Sequence, residues 1–383
     1  MQPIAQNGYS SFQVIDALQK SGRTMRYQYE RLNTRNESLG WITDQIVEGS
    51  GEVTHEYLRE VQRTLRVEFV EGVGEITFDF YNDRIRPWVG VKMQDGGWVD
   101  WPQGVFLMST PTRSYRNGVV TRSSDGYDQN IVLIDEVFAF RADVAAGALY
   151  TTAVSSHLSA IPNVTIAPST LTLPAARTWD PGGVTKYEVV TDLVEAMNYG
   201  KLWFDGSGVG QLEPYIDPQD SPVGFTYKTD DQSVMHPEMD QTLDLFKVPN
   251  RIVFVVSKPD RPLLISEFVN NSPDSPISIV RRGRTVTQVD TAKDAATQVE
   301  LDGLCRRAAI NASNVYETVE FSTMLMPFHE NRDTLQIEHD GLGVTGLYSE
   351  VGWSMNLQAG GRMSHKVRKI VNVNAIVVGV PDD

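Results

Sequence analysis

The chain has 383 residues, 41% of them hydrophobic and 22% charged, and a net charge of −15. At about 100–200 residues per domain this predicts two to four domains, with no apolar run near the roughly 18 residues of a membrane span. The acidic balance excludes a protein built to grip nucleic acid, and one cysteine, Cys305, excludes an intrachain disulfide or a cysteine-based zinc site.

In chain order, "SSFQVIDALQKSG" predicts a short amphipathic helix capped by Ser10 or Ser11, with Phe12, Ile15 and Leu18 on its apolar side. The period then changes to two. Met25, Tyr27 and Tyr29 alternate with polar residues, and "WITDQIVEG", "TLRVEFV", "EITFDFY", "RIRPWVGVKM", "GVFLMSTPTRSY" and "NIVLIDEVFAF" continue as strands between turn clusters. Residues 141–215 read as a small α+β unit. Its main helix, in "TKYEVVTDLVEAMNYG", has a Thr185–Glu188 capping box and Gly200 past its end. A segment from Asp205 to Phe246 holds nine acids, one base and several prolines, and reads as a connection. Strands resume with "NRIVFVVSK" and "LLISEFV". A helix over 290–313 follows, capped by Thr291 and Asp294, with Ala295, Val299 and Leu304 as its stripe; Cys305 reads as a small core residue. The last 65 residues are strands again, ending in "AIVVGV".

The two β-rich regions share a layout. Gly104-Val105-Phe106 enters a strand after a Gly-rich turn, and Gly346-Leu347-Tyr348 does the same about 242 residues on. The boundaries drawn are 1–140 for a first barrel, 141–215 for a small α+β domain, 216–265 for the start of a second barrel, 266–325 for a helix-containing insert and 326–383 for the rest of the second barrel. The fold class is mainly β: two tube-like barrels with two small α/β inserts.

The search for chemistry is empty. Gly341-Leu342-Gly343-Val344-Thr345-Gly346 matches the dinucleotide fingerprint in letters, but β-type residues follow where a helix is required. His329, Glu330 and His339 lack metal-site spacing, no GxSxG elbow is present, and no carboxylate pair stands out. No catalytic, cofactor-binding or metal-ligating residue is assigned.

The order of these features resembles the baseplate hub proteins at the distal end of bacteriophage tails, and the N-terminal region of siphophage tail-associated proteins. The stretches that carry it are "RIRPWVGV", "WPQGVFLMSTP", "DGYDQNIVLIDEV", "LDLFKVPNRIVFV", "SEFVNNSPDSPISIVRRGRTV" and "VGWSMNLQAGGRMSHKVRKIV". The resemblance implies a homotrimer whose six barrels form a pseudo-sixfold ring in the virion tail tip, made in the host cytoplasm and not inserted in a membrane. Implied partners are a distal tail protein or tail-tube ring above, tip or fibre proteins below, a tape measure protein in the lumen, and DNA in passage without specific binding. Hydrolase or receptor modules of some relatives are not expected after "VVGVPDD". Part of the acid excess is expected to face the channel. Candidate structural and interface residues are Trp98, Trp101, Gly104, Phe106, Asn250, Gly346, Tyr348 and Trp353, with Trp41 and Trp88 as further aromatic candidates. The alternative is a tail-tip module recognising host carbohydrate or receptor, with Trp98 and Trp101 stacking on a sugar.

Overall fold

A computed structural model describes every residue except 75–76, 245, 258–261, 292–294, 372–377 and 380–383. Helix α1 (Ser11–Gln19) comes first, and nine strands follow: β1 (Met25–Leu32), β2 (Ser38–Trp41), β3 (Glu52–Glu56), β4 (Arg63–Val70), β5 (Arg84–Lys92), β6 (Trp98–Pro102), β7 (Phe106–Met108), β8 (Thr112–Arg116) and β9 (Val119–Tyr127). A small unit contains α2 (Asn130–Asp135), β10 (Ala142–Val144), α3 (Tyr150–His157), β11 (Val164–Ile166), β12 (Arg177–Trp179), α4 (Lys186–Ala196), β13 (Trp203–Phe204) and β14 (Gly210–Leu212). Next come β15 (Val223–Lys228) and β16 (Met235–Leu243), then an insert with β17 (Arg251–Val256), β18 (Leu264–Val269), α5 (Ile279–Arg282), β19 (Thr287–Asp290) and α6 (Gln298–Asn314). The chain closes with β20 (Glu317–Met324), β21 (Thr334–His339), β22 (Val344–Asn356), β23 (Arg362–Lys369) and β24 (Val378–Gly379).

Fifteen strands join one sheet, in the order β16-β20-β23-β22-β3-β4-β9-β7-β5-β1-β2, with β15 on β21, β21 on β22, β6 on β5 and β8 on β9. Each half curls on itself. After β2 the chain bridges back from Ile46 to Phe69 on β4, which brings the two ends of the first half together. In the second half the Tyr227 ring of β15 lies 5.5 Å from Phe321 of β20, although three strands separate them in the sheet. One continuous apolar core runs through both halves.

Strand β22 belongs to both. Its first part pairs with β21 and its last part with β3, while β23 lies along its other edge. The pairing slips between Glu350 and Gly352, a bulge that adds one residue. Side chains alternate in a strand, so one extra residue reverses the parity. Tyr348 and Glu350 point inward before the bulge, and Trp353 and Met355 point inward after it.

Several sequence expectations change. "NIVLID" is helix α2 rather than strand. The Asp128 carboxylate accepts from the Asn130 amide at 2.9 Å and holds its first turn, and Leu133 packs into the small unit's core. The first half therefore ends near 128, not 140. Strand β17, expected in the second barrel, and β18, which straddles the expected boundary at 265, form a separate sheet with β19 and β24 under α6. β20, expected in the insert, lies in the main sheet. Of "AIVVGV", β24 pairs with β18 and the rest lies outside the described residues. The 205–246 connection contains β15 and β16. Alternation identifies a strand but not its sheet, because partners distant in sequence decide that.

Helix ends shift too. α1 is capped by Ser10 and buries Val14, Ala17 and Leu18, while Phe12 is 81% exposed. The Thr185–Glu188 box on α4 forms, but the left-handed residue past the helix is Asn198 (φ 58°), not Gly200; asparagine tolerates that conformation. α6 is capped by Thr297 with Glu300, six residues after the expected Thr291, and Asp294 lies outside the described residues. Of the expected stripe Ala295 and Leu304 are buried and Val299 is exposed; Cys305 is in the core as expected, and Leu301 joins them against the insert's sheet.

Burial pushes the Cys305 thiol up to about 11. A thiol that is protonated and enclosed is unreactive, so native protein at pH 8 is expected to resist a thiol-reactive chromogen and to release one equivalent on unfolding. Rapid labelling of the native chain would contradict this packing.

Candidate functional site: a polar sheet face and the buried joint behind it

The strand path β16-β20-β23-β22-β3-β4-β9-β8 crosses from one half to the other with one face on the core and the other on solvent. Val319, Phe321, His365, Trp353, Met355, Val53, His55, Leu65 and Val67 point inward. The outward neighbours form rows across the strands. One row runs Asp240, Glu320, Lys366, Gly352, Glu56. The next is almost all hydroxyl: Ser322, Ser364, Ser354, Thr54, Thr64. A third runs Asn356, Glu52, Arg66, Asp125. Charges along the rows pair with each other, Lys366 with Glu320 at 2.7 Å and Arg66 with Asp125 at 3.2 Å. A shallow groove lies over the hydroxyl row where β22 meets β3.

The expected block of lining acid is not a block. Asp205 accepts from the amides of Ser207 and Val209, Asp217 pairs with Arg306 at 3.0 Å, and Asp244 accepts from Phe246 and Lys247. Within that segment Glu238 and Asp240, exposed on β16, border the polar face.

The singled-out residues are mostly interior. Trp101 is fully buried, its ring edge-on to Phe328 at 6.4 Å and its indole N–H donating to Pro3 at 3.0 Å. It is closed to sugar stacking. Trp98 is half-buried beneath the Arg26 guanidinium at 4.3 Å. Trp353 is buried and donates to the Glu330 carbonyl. Trp41 is 49% exposed and lies 6.4 Å from the half-buried Trp88, whose indole donates to Glu30. Asn250 is buried in the insert, bonding Ile277, Arg284 and Val286 backbone groups.

Gly104 lies just before β7, whereas Gly346, expected to open a strand, is already inside β22, which begins at Val344. Two residues after each, a buried aromatic pairs with the second residue of a partner strand: Phe106 with Ile85, and Tyr348 with Leu335. Both glycines have positive φ, 121° and 146°, a region closed to other residues without strain. A Cβ at Gly104 would lie 2.8 Å from both the Arg63 side chain and the Phe106 ring, whereas one at Gly346 would meet nothing nearer than 3.7 Å.

Sequence reasoning missed the buried polar joint beneath the hydroxyl row. Arg63 of β4 bonds Glu330, before β21, at 2.6 Å, and the other Glu330 oxygen accepts from Gly206 of the small unit at 2.9 Å. One carboxylate thus ties three parts of the chain. Asp333 meets the Met1 amino group at 2.5 Å. Glu350 accepts from His329 and His365, 2.6 Å from each Nδ1; the outer nitrogens meet the Tyr227 hydroxyl at 2.7 Å and the Thr323 hydroxyl at 2.9 Å. Burial raises the Glu350 carboxyl, but the two imidazoles outweigh it and hold it down to about 2. Among the described residues this trio is the one grouping of metal-donor side chains. Its N···O separations are those of charge-assisted hydrogen bonds, and a metal at about 2.0–2.2 Å from each atom would have to part them. The signal available in sequence was a set of histidines and acids on inward strand positions, legible only with the bulge at 351.

No family model matches the chain, and no curated relative does. Solved structures do match. A tail protein from Neisseria meningitidis MC58 aligns with 90% of this chain and 96% of its own, with a TM-score of 0.62 at 12% identity. The 43 kDa tail protein of prophage MuSo2 from Shewanella oneidensis aligns with 90% and 98%, with a TM-score of 0.62 at 10% identity. The fold is that of phage tail proteins. Prophage tail protein gp18 from Listeria monocytogenes also shares this phage-tail fold, over 88% and 94%, with a TM-score of 0.53 at 11% identity.

Two predictions come from the joint. Gly104→Ala is expected to cost about 3 kcal/mol, through strain and overlap together, and Gly346→Ala about 1.5 kcal/mol through strain alone; urea unfolding measures both, and equal losses would contradict the difference in space. His55 sits in the β3–β22 seam, stacked on Trp353 at 5.5 Å. Burial first, then the Arg63 charge, push it down to about 3. A histidine lowered in the fold contributes stability that is present above its unfolded value, near 6.5, and is lost as pH falls toward 3. Acidification from pH 6.5 to 5 should therefore remove on the order of 2 kcal/mol through His55. His55→Phe is expected to flatten that slope by this amount in urea titrations at the two pH values.

Proposed function

We propose that the protein is a structural component of a phage tail tip: a hub of three copies whose polar sheet faces close into one channel wall. The observation that carries this is the unbroken sheet from β16 to β8, polar on one face across both halves, in a fold shared with tail proteins. Each chain supplies two equivalent curled halves, so three chains supply six, which suits a joint between a sixfold tube and a threefold tip. A heterologous contact repeated by rotation closes a ring of this kind. The wall would be hydroxyls and mixed charges, with Lys366 paired to Glu320 and Arg362 and Arg368 beside it on β23, and the acidic balance of the whole chain suits DNA in passage. Neighbours in this reading are a distal tail or tube ring above, tip or fibre proteins below and a tape measure protein inside. The role is non-enzymatic, served by position rather than by a reacting group.

Light scattering on the purified chain and electron microscopy of the particle test the reading. The expected result is a trimer, and a threefold ring with a central hole at the tail end. A chain that stays monomeric at high concentration and is missing from purified tails would overturn it. Trp101→Ala should lower folding stability by about 3–5 kcal/mol, the usual loss for a buried Trp, and lower ring yield with it. A variant of unchanged stability would remove the tryptophan from the joint.

A further inference from the structure

The eight-strand path ends in two open edges. Among the described residues, β16 pairs only with β20, and β8 only with β9. An open edge presents a row of unpaired amides and carbonyls that readily accepts another strand. Successive pairs along the path are all antiparallel: β16 with β20, β20 with β23, β23 with β22, β22 with β3, β3 with β4, β4 with β9 and β9 with β8. Because the number of strands is even, β8 runs opposite to β16. A second copy placed beside the first by rotation would then meet it antiparallel, and the alternation would continue unbroken across the join.

The faces fix the register. Arg116, Ser114 and Thr112 of β8 pair with Val119, Thr121 and Ser123 of β9, which share a side with Asp125 on the polar face. Asp240 and Thr242 of β16 pair with Glu320 and Thr318 on the same face. Directly opposed residues in an antiparallel pair share a face. Setting Arg116 against Asp240 places Ser114 against Thr242 and Thr112 against Asp244. On the other side Tyr115, 73% exposed, meets Gln241 and lies diagonal to Leu243, 43% exposed. Arg116 and Asp240 are both exposed and make no ion pair among the described residues. Pro237 lacks an amide and lies in the irregular start of β16, so it limits pairing to the stretch after it. The charges agree with this setting: Arg116 marks one edge, and Glu238 and Asp240 the other.

We propose that β8 of one copy adds to β16 of the next as an antiparallel strand, with Arg116 opposite Asp240. The proposal rests on the ring reading above and names the surfaces that make the ring.

The test uses the full chain, whose one cysteine is enclosed. Arg116→Cys with Asp240→Cys, oxidised after assembly, is expected to give covalent species of up to three copies on a non-reducing gel. Tyr115→Cys with Asp240→Cys places the thiols on opposite faces and should give none. Because either pair removes a charge, a second set keeps the interaction open to test. Asp240→Arg alone should raise the concentration for half-assembly by roughly tenfold, as like charges meet, and Asp240→Arg with Arg116→Asp should restore it. Trimers that form normally in the Asp240→Arg variant and never cross-link would overturn the seam and leave the ring standing. A wild-type chain that never assembles, or cross-links that stop at two copies, would overturn ring and seam together.

Discussion

The architecture depends on one strand serving two sheets. β22 must complete the second half through β21 and then continue into β3 of the first, with β23 held along its whole other edge. A straight strand with strict alternation could not do both, because the inward positions of the two halves are out of step. The bulge at Val351 corrects the phase by one residue. Its consequence is the burial of Glu350 immediately before the correction. A buried carboxylate needs cations or donors, and the His329–His365 pair, with Tyr227 and Thr323 behind it, supplies them. The polar cluster is thus part of how the seam is made and does not need a catalytic explanation.

The same logic accounts for Arg63 and Glu330. The three parts of the chain meet where the strands of the first half, the loop before β21 and the hairpin of the small unit converge, and backbone groups there have no sheet partner. Glu330 accepts from the Gly206 amide and from Arg63, while Gln103 donates to the carbonyls of Trp101 and Pro327. Removing one member of such a buried pair leaves the other uncompensated, which costs far more than the intact pair contributes. The joint therefore fixes one relative placement of the halves. A continuous outer face needs this, since any rotation between halves would break its rows.

The sequence carried much of this and lost a definable part. Period-two alternation located most strands, and the shared Gly-x-aromatic layout at 104–106 and 346–348 led to two similar aromatic pairings, although Gly104 precedes β7 while Gly346 lies inside β22 rather than at its entry. Strand alternation could not say that β17 and β18 leave the main sheet, or that 130–135 folds as a helix once Asp128 holds its first turn. Tryptophans drew attention as interface candidates because they are large, yet Trp101 and Trp353 are buried by contacts with Phe328 and His55 that lie far away in sequence. The hydroxyl row was invisible for a similar reason. Its serines and threonines come from five strands, one each, and each is unremarked until register sets them side by side.

Charge completes the argument. A net charge of −15 suggests an acidic lining, but Asp205, Asp217, Asp230 and Asp244 of the 205–246 segment are engaged in turns and local pairs, and Glu238 and Asp240 border the polar face. On that face acids and bases answer one another along the rows, with hydroxyls between. A surface of this kind stays hydrated; its cations, Arg362, Lys366 and Arg368 on β23 and Arg66 on β4, stand among hydroxyls and acids. At its two edges Arg116 on β8 and Asp240 on β16 stand without an ion pair among the described residues, and opposite signs there can favour continuation of the sheet. Electrostatics of this type selects partner and register more than it adds affinity, and it leaves the middle of the face neutral in balance while its borders are marked.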